Sequence, residues 1–180
     1  MYFTYGMAET SFAKILTIKK CLLFQLCSKK MSRYFSYASL ILRFITGTGF
    51  IVHGWAKLNR GTAGFEKMLL QLHVPFPYLM GNVVPYIELL GGIAILVGFF
   101  IKIVSIPLIA TMLVAMFTIH IHYGFSSIKT TGLNADGPVF GPPGYEINLL
   151  YVAILLSFII TGAGKFSVDE IFTKRRNKLR

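Results

Sequence analysis

Five side chains in an otherwise apolar stretch are spaced to act together. Arg43, Thr46, Phe50, His53 and Lys57 follow one another at intervals of 3, 4, 3 and 4, which puts all five on one face of a helix. An ionisable group within lipid costs on the order of 3 kcal/mol, so such groups turn toward the protein interior and toward a partner. Glu88 is the natural counterpart. Gly91 and Gly92 follow it by about one turn, and Gly47 and Gly49 stand at a comparable depth of the first helix; glycines let helices approach closely. A buried carboxylate is expected to have a raised pKa and can carry protons. Glu146 opens a second stripe, continued by Leu150, Ala153, Ser157, Thr161 and Gly164, of mostly polar or small residues at helical spacing. Glu88, Glu146, His53 and Arg43 therefore form the candidate catalytic set, with proton handling as its chemistry. Lys57 and His122 are candidate cofactor contacts.

Each of these residues also has a plain structural reading. Arg43 can snorkel to headgroups or pair with Glu88 for packing alone. Lys57, at the end of its helix, can serve as an interface anchor. His120 and His122 are two apart, so on a helix they point about 200° away from each other and cannot jointly hold one metal. Of the two, His122 shares a face with Thr111 and Thr118 and is expected to point inward. Trp55, Tyr78 and Tyr145 suit an aromatic belt. No metal site is read from the sequence.

The elements that must position these groups are membrane helices. The chain of 180 residues has 54% hydrophobic and 14% charged side chains and a mean hydropathy of +0.64, too apolar for an ordinary soluble domain. Its net charge of +11 does not indicate nucleic acid. The basic residues sit almost wholly outside the apolar runs, as topology signals do, rather than spread over a solvated surface. Cys21 and Cys27 are the only cysteines, and their spacing matches neither a redox CxxC nor a zinc motif.

The periodicity and length of the apolar runs predict an all-α membrane protein, a four-helix bundle with spans at about 36–58, 80–100, 102–123 and 146–165. Pro85 and Pro107 fall in or near first turns, where a missing N–H costs least. Between the first two spans, Phe65, Met68, Leu69 and Leu72 recur at helical spacing, which predicts a short interfacial helix ended by Pro75 and Pro77. The Gly- and Pro-rich stretch from Gly124 to Tyr145 reads as a loop with little regular structure. Residues 1–35 read as a basic cytoplasmic arm, with Met31 an alternative start, residues 36–171 as the membrane domain and residues 172–180 as a basic cytoplasmic tail.

Orientation follows from the basic residues. With the N-terminus inside, thirteen Lys and Arg lie on the inner side and four, Lys57, Arg60, Lys67 and Lys129, on the outer side. That bias predicts a multi-pass protein of the cytoplasmic membrane with both termini in the cytoplasm.

Three stretches resemble the DoxX family of small membrane proteins: LRFITGTGFIVHGWAKL, IELLGG, and GYEINLLYVAILLSFIITGAGKFSVD. The resemblance covers about residues 36–171, with an HG-x-x-K end to the first helix and a glutamate before GG in the second. The fourth opens on Gly144-Tyr145-Glu146 and closes on Gly162, Gly164, Ser167 and Asp169. By resemblance, Arg43, His53, Gly54, Lys57, Glu88, Gly91, Gly92 and Glu146 fall on recurrent family positions. The resemblance implies a subunit of a membrane oxidoreductase or oxidative-stress system, and with it a quinone and a redox partner protein. The sequence itself shows no haem pair, flavin fingerprint, iron–sulfur cysteines or dinucleotide-binding glycines. Electron transfer would then use a diffusible quinone or a cofactor held by the partner. Membrane lipid and a second copy of the chain are the other expected partners, and no nucleic acid is. A small oligomeric transporter or permease and a non-catalytic membrane scaffold are the alternatives.

Overall fold

In lipid, a backbone must satisfy its own hydrogen bonds, and long runs of Leu, Ile, Val and Phe do so as helices. The computed structural model describes residue 31 and residues 34–179. Residues 1–30 of the expected arm, with Cys21 and Cys27, lie outside the described residues, as do Arg33 and Arg180, while Tyr34 and Phe35, expected in the arm, belong to the first helix. The chain forms α1 (Tyr34–Asn59), α2 (Thr62–Gln71), α3 (Pro77–Val97) and α4 (Ile101–Thr118). A 3₁₀ turn, His120–Tyr123, and two strands, β1 (Thr130–Asn134) and β2 (Gly137–Phe140), lead to α5 (Glu146–Thr161). The chain then ends in α6 (Val168–Lys178).

Helices α1, α3 and α4 are long and apolar enough to cross a membrane. α5 is equally apolar but has 16 residues, a rise of about 24 Å. Local chemistry moves the expected boundaries. α3 starts at Pro77, which occupies the first helical turn, where proline is preorganised for a helix. It stops at Gly98, whose φ of 73° lets its N–H and that of Phe99 turn back to Ala94 O, both at 2.9 Å, closing the helix end. The third span was expected to run to Tyr123, but regular α4 ends at Thr118 and the next residues tighten into the 3₁₀ turn. α5 ends four residues early at Gly162, where φ is 78°.

The segment expected to be irregular carries an antiparallel ribbon, with Asn134 opposite Gly137. Asn134 Oδ1 accepts from the Asp136 N–H at 3.1 Å, an Asx turn. The glycines and prolines thus punctuate a hairpin, and Pro138 is tolerated because a two-stranded ribbon has open edges. The all-α expectation becomes a mostly helical fold with this small ribbon.

α1, α3, α4 and α5 alternate in direction, giving the bundle a tail end, where α6 lies, and a hairpin end. Phe50, Ile95, Ile101, Leu108, Leu155 and Phe158 form the buried core. α1 and α3 touch backbone to backbone: a Cβ on Gly47 would stand 2.8 Å from Gly92 O, and one on Gly92 2.7 Å from Gly47 O. Large apolar side chains such as Phe44, Ile106 and Ile160 remain largely exposed, as on a surface that meets lipid rather than water.

Candidate functional site

At the hairpin end, Glu88 of α3 is turned against α1 and is 1% exposed. Its two carboxylate oxygens both lie 2.5 Å from Lys57 Nζ. The approach of α1 to α3 makes this possible, because a Cβ on Gly54 would stand 2.7 Å from Pro85 O. Lys57 is therefore not simply an interface anchor. Its ammonium also lies 4.9 Å from the centroid of Phe65 on α2, a cation–π contact. α2 is in turn held to α3, since Asn82 Nδ2 donates to Glu66 Oε1 at 2.7 Å and Thr62 Oγ1 donates to Asn82 Oδ1 at 3.1 Å.

The pair forms part of the wall of a cavity of about 790 Å³. Most of its lining is apolar, including Met68, Leu69, Met80, Ile87, Met112 and Phe117; its polar lining includes Lys57, Glu88, His53, His120, Asn148 and Tyr151. His120 Nδ1 lies 2.9 Å from Pro143 O, which fixes the ring with that nitrogen as donor. His73 and Phe76, both in the left-handed backbone region at φ 54°, turn the α2–α3 connection over the cavity rim. A large apolar chamber with a few convergent polar groups is the usual form of a small-molecule site.

Several residues stand elsewhere than expected. Arg43 does not reach Glu88, because 14 residues of α1 separate it from Lys57, about 21 Å along the axis. It is 2% exposed at the tail end, where Nη1 donates to Ala163 O at 3.0 Å and Nη2 to Phe166 O at 2.6 Å. Ser39 Oγ donates to Ala163 O as well. Thr46 and Phe50 are buried with Arg43 as the helical face predicted, but the buried ring of Phe50, edge-on to Tyr151, interrupts the polar stripe.

Glu146 does not line the cavity. It sits in the first turn of α5, where its Oε2 accepts from the Ser127 N–H at 3.1 Å, tying the hairpin segment to the helix. The stripe it opens faces outward, with Leu150, Ala153 and Thr161 exposed. Ser157 and Thr161 bond carbonyls of their own helix and so need no interhelical partner. His122 is exposed and His120 lines the cavity, the reverse of the expectation, because the 3₁₀ turn changes the angular step per residue. Asn148 escaped sequence reasoning: it is buried and donates to Met112 O at 3.3 Å. An amide inside an apolar run was the signal available.

The stretch from Gly162 to Asp169 is a structural clasp at the tail end. Ser167 caps α6 by accepting from the Glu170 N–H. Asp169 accepts from the Phe100 N–H at 2.8 Å and the Ile101 N–H at 3.2 Å, capping α4. Gly98 completes it, because a Cβ there would collide with Arg43 Nη1 and with Ser167 Cβ.

Comparison with known proteins agrees with a membrane protein. The DoxX family model matches residues 38–121, from α1 into the 3₁₀ turn, and leaves the Gly144–Glu146 opening and the Gly162–Asp169 close outside the match. "Putative oxidoreductase CatD" of Bacillus subtilis is 27% identical over 150 residues, 82% of this chain and 96% of that protein. "Inner membrane protein YqjF" of Escherichia coli is 29% identical over 139 residues, 76% of this chain and 92% of that protein. A protein of Haemophilus influenzae is 28% identical over 156 residues, covering 81% and 98%. No solved structure matches the chain.

Proposed function

For a membrane protein with a DoxX domain across α1 to α4, we propose that the hairpin-end cavity takes the headgroup of a quinone, and that the chain is the membrane subunit of a quinone-linked oxidoreductase or oxidative-stress system. The observation that carries this reading is the Lys57–Glu88 pair, with its carboxylate buried and its ammonium half-buried, in the wall of an apolar chamber. A quinone is an apolar ring with two carbonyl oxygens and an isoprenoid tail. His53 and Lys57 are among the donors lining the chamber, and the Met, Leu, Ile and Phe side chains suit the ring and tail. Reduction of a quinone takes up two electrons and two protons. The electrons come from a redox partner protein, since no cofactor motif of the chain's own is at hand. Glu88, bound to Lys57, is the carboxylate in place to relay a proton. The name of the Bacillus subtilis relative, an oxidoreductase, points the same way.

The membrane setting belongs to this reading. α5 crosses as a fourth span, its outward Leu150, Leu156 and Ile160 facing lipid. α2 lies in the interface, both termini are cytoplasmic, and the cavity opens on the outer half of the bilayer.

The test is purification from native membranes in mild detergent, with mass spectrometry of co-purifying proteins and quinones. Stoichiometric quinone or a redox protein is expected. Glu88→Gln should abolish the quinone-linked activity of the complex and leave it assembled. Recovery of the chain with bulk lipid alone, or unchanged activity in the variant, would overturn the proposal.

A scaffold role draws on the same pair, since a buried ion pair can serve only to lock α1 on α3. In that case Glu88→Gln alters no turnover, whatever it does to stability. Transport gains less support, because Phe50 is fully buried between Thr46 and His53 and interrupts the polar stripe.

A further inference from the structure

Lys102 and Arg176 line a second cavity, of about 490 Å³, which the quinone reading does not use. It lies at the tail end between the first turn of α4, the Gly162 turn after α5, and α6. One part of its wall is apolar: Phe100, Ile103 and Phe172 are there, all more than half exposed. The other is cationic. Lys102 folds across the Gly162 turn, its Cε 3.7 Å from where a glycine Cβ would stand. Asp169 is the acid in the lining, but its two oxygens are engaged by the Phe100 and Ile101 N–H groups as the cap of α4. Among the described residues, neither Lys102 nor Arg176 is in an ion pair; Lys174 takes Glu170 instead.

We propose that this cavity binds an anionic phospholipid, its phosphate between Lys102 and Arg176 and the start of an acyl chain along Ile103 and Phe172. The divided wall, cationic beside apolar, matches a lipid at the point where headgroup meets chain. The place is right as well: the cavity opens beside the last turn of one apolar helix and the first of another, where headgroups lie. A basic tail attracts anionic lipid in a diffuse way, about equally for each lysine or arginine. A built site differs in depending on two particular charges.

That difference is the test. The full-length protein in detergent is titrated with phosphatidylglycerol and, separately, with phosphatidylcholine of the same chains, and bound lipid is counted by native mass spectrometry. One retained phosphatidylglycerol is expected, with phosphatidylcholine bound at least tenfold more weakly. The double variant Lys102→Gln and Arg176→Gln should weaken retention about tenfold or more. The double variant Arg175→Gln and Lys178→Gln, with the same change of net charge, should leave it within about twofold. These four side chains are exposed, so both proteins are expected to fold, and matching melting curves check it. Equal losses in the two doubles, or equal binding of the two lipids, would overturn the proposal. So would displacement of the lipid by excess inorganic phosphate, which would assign the charges to a soluble anion.

Discussion

Lys57 and Glu88 are joined across α1 and α3, one ammonium nitrogen 2.5 Å from both oxygens of a carboxylate that is almost wholly buried. A charge so placed is tolerable only while its partner stays, since an unpaired buried ion costs several kcal/mol.

Removing one partner should therefore hurt more than removing both. Lys57→Met strands the Glu88 carboxylate and is expected to destabilise the protein by about 3 to 5 kcal/mol. The double variant Lys57→Met and Glu88→Leu is expected to recover most of that loss. Thermal unfolding in detergent, followed by circular dichroism for the two variants and the wild type, decides it. If the double is as unstable as the single, the pair is not what holds α1 to α3.

The tail-end clasp depends on the planar fork of Arg43 reaching two carbonyls at once. Arg43→Lys keeps the charge but can reach only one of Ala163 O and Phe166 O well, so a loss of about 1.5 to 3 kcal/mol follows. Gly98→Ala strikes the same clasp from the other side, at a φ of 73° and in collision with Arg43 and Ser167. Both variants should speed proteolysis within 162–169 while leaving the hairpin end protected. Cleavage that rises equally at both ends would mean the two ends do not unfold separately.

Topology can be read by cysteine labelling. With Cys21 and Cys27 replaced by serine, single cysteines at Ala135, in the hairpin turn, and at Lys174, on α6, are offered to a membrane-impermeant maleimide in intact cells. Labelling at 135 and protection at 174 are expected if α5 crosses and the termini are cytoplasmic. The same accessibility at both positions would mean that α5 does not span the bilayer.

Much of the helical framework was legible in the residues. Apolar runs of the right length marked α1, α3 and α4, and the period of Phe65, Met68, Leu69 and Leu72 marked α2. Gly47 and Gly92 announced the α1–α3 contact because a missing side chain permits an approach that nothing else does. The burial of Arg43, Thr46 and Phe50 on one face followed from the angular step of a helix alone.

What the linear pattern could not decide was depth and partner. Spacing along α1 places Arg43 and Lys57 on the same face, but which of them meets Glu88 depends on how far α3 slides against α1, and that is set by the packing of Gly54 under Pro85 and of Gly47 on Gly92. The polar stripe of α5 looked like an interface because hydroxyls in lipid need partners, yet Ser157 and Thr161 find them on their own backbone and leave the helix free to turn outward. His120 replaced His122 because α4 ended in a tighter turn, a change of a few degrees per residue that sequence spacing does not record. Sequence alone determined where the apolar helices and α2 lie and which side chains of α1 share a face, since both are local properties of the chain. The tertiary structure decided which faces meet, at what height, and hence that one end of the bundle holds a chamber and the other a clasp, since these depend on contacts between distant segments.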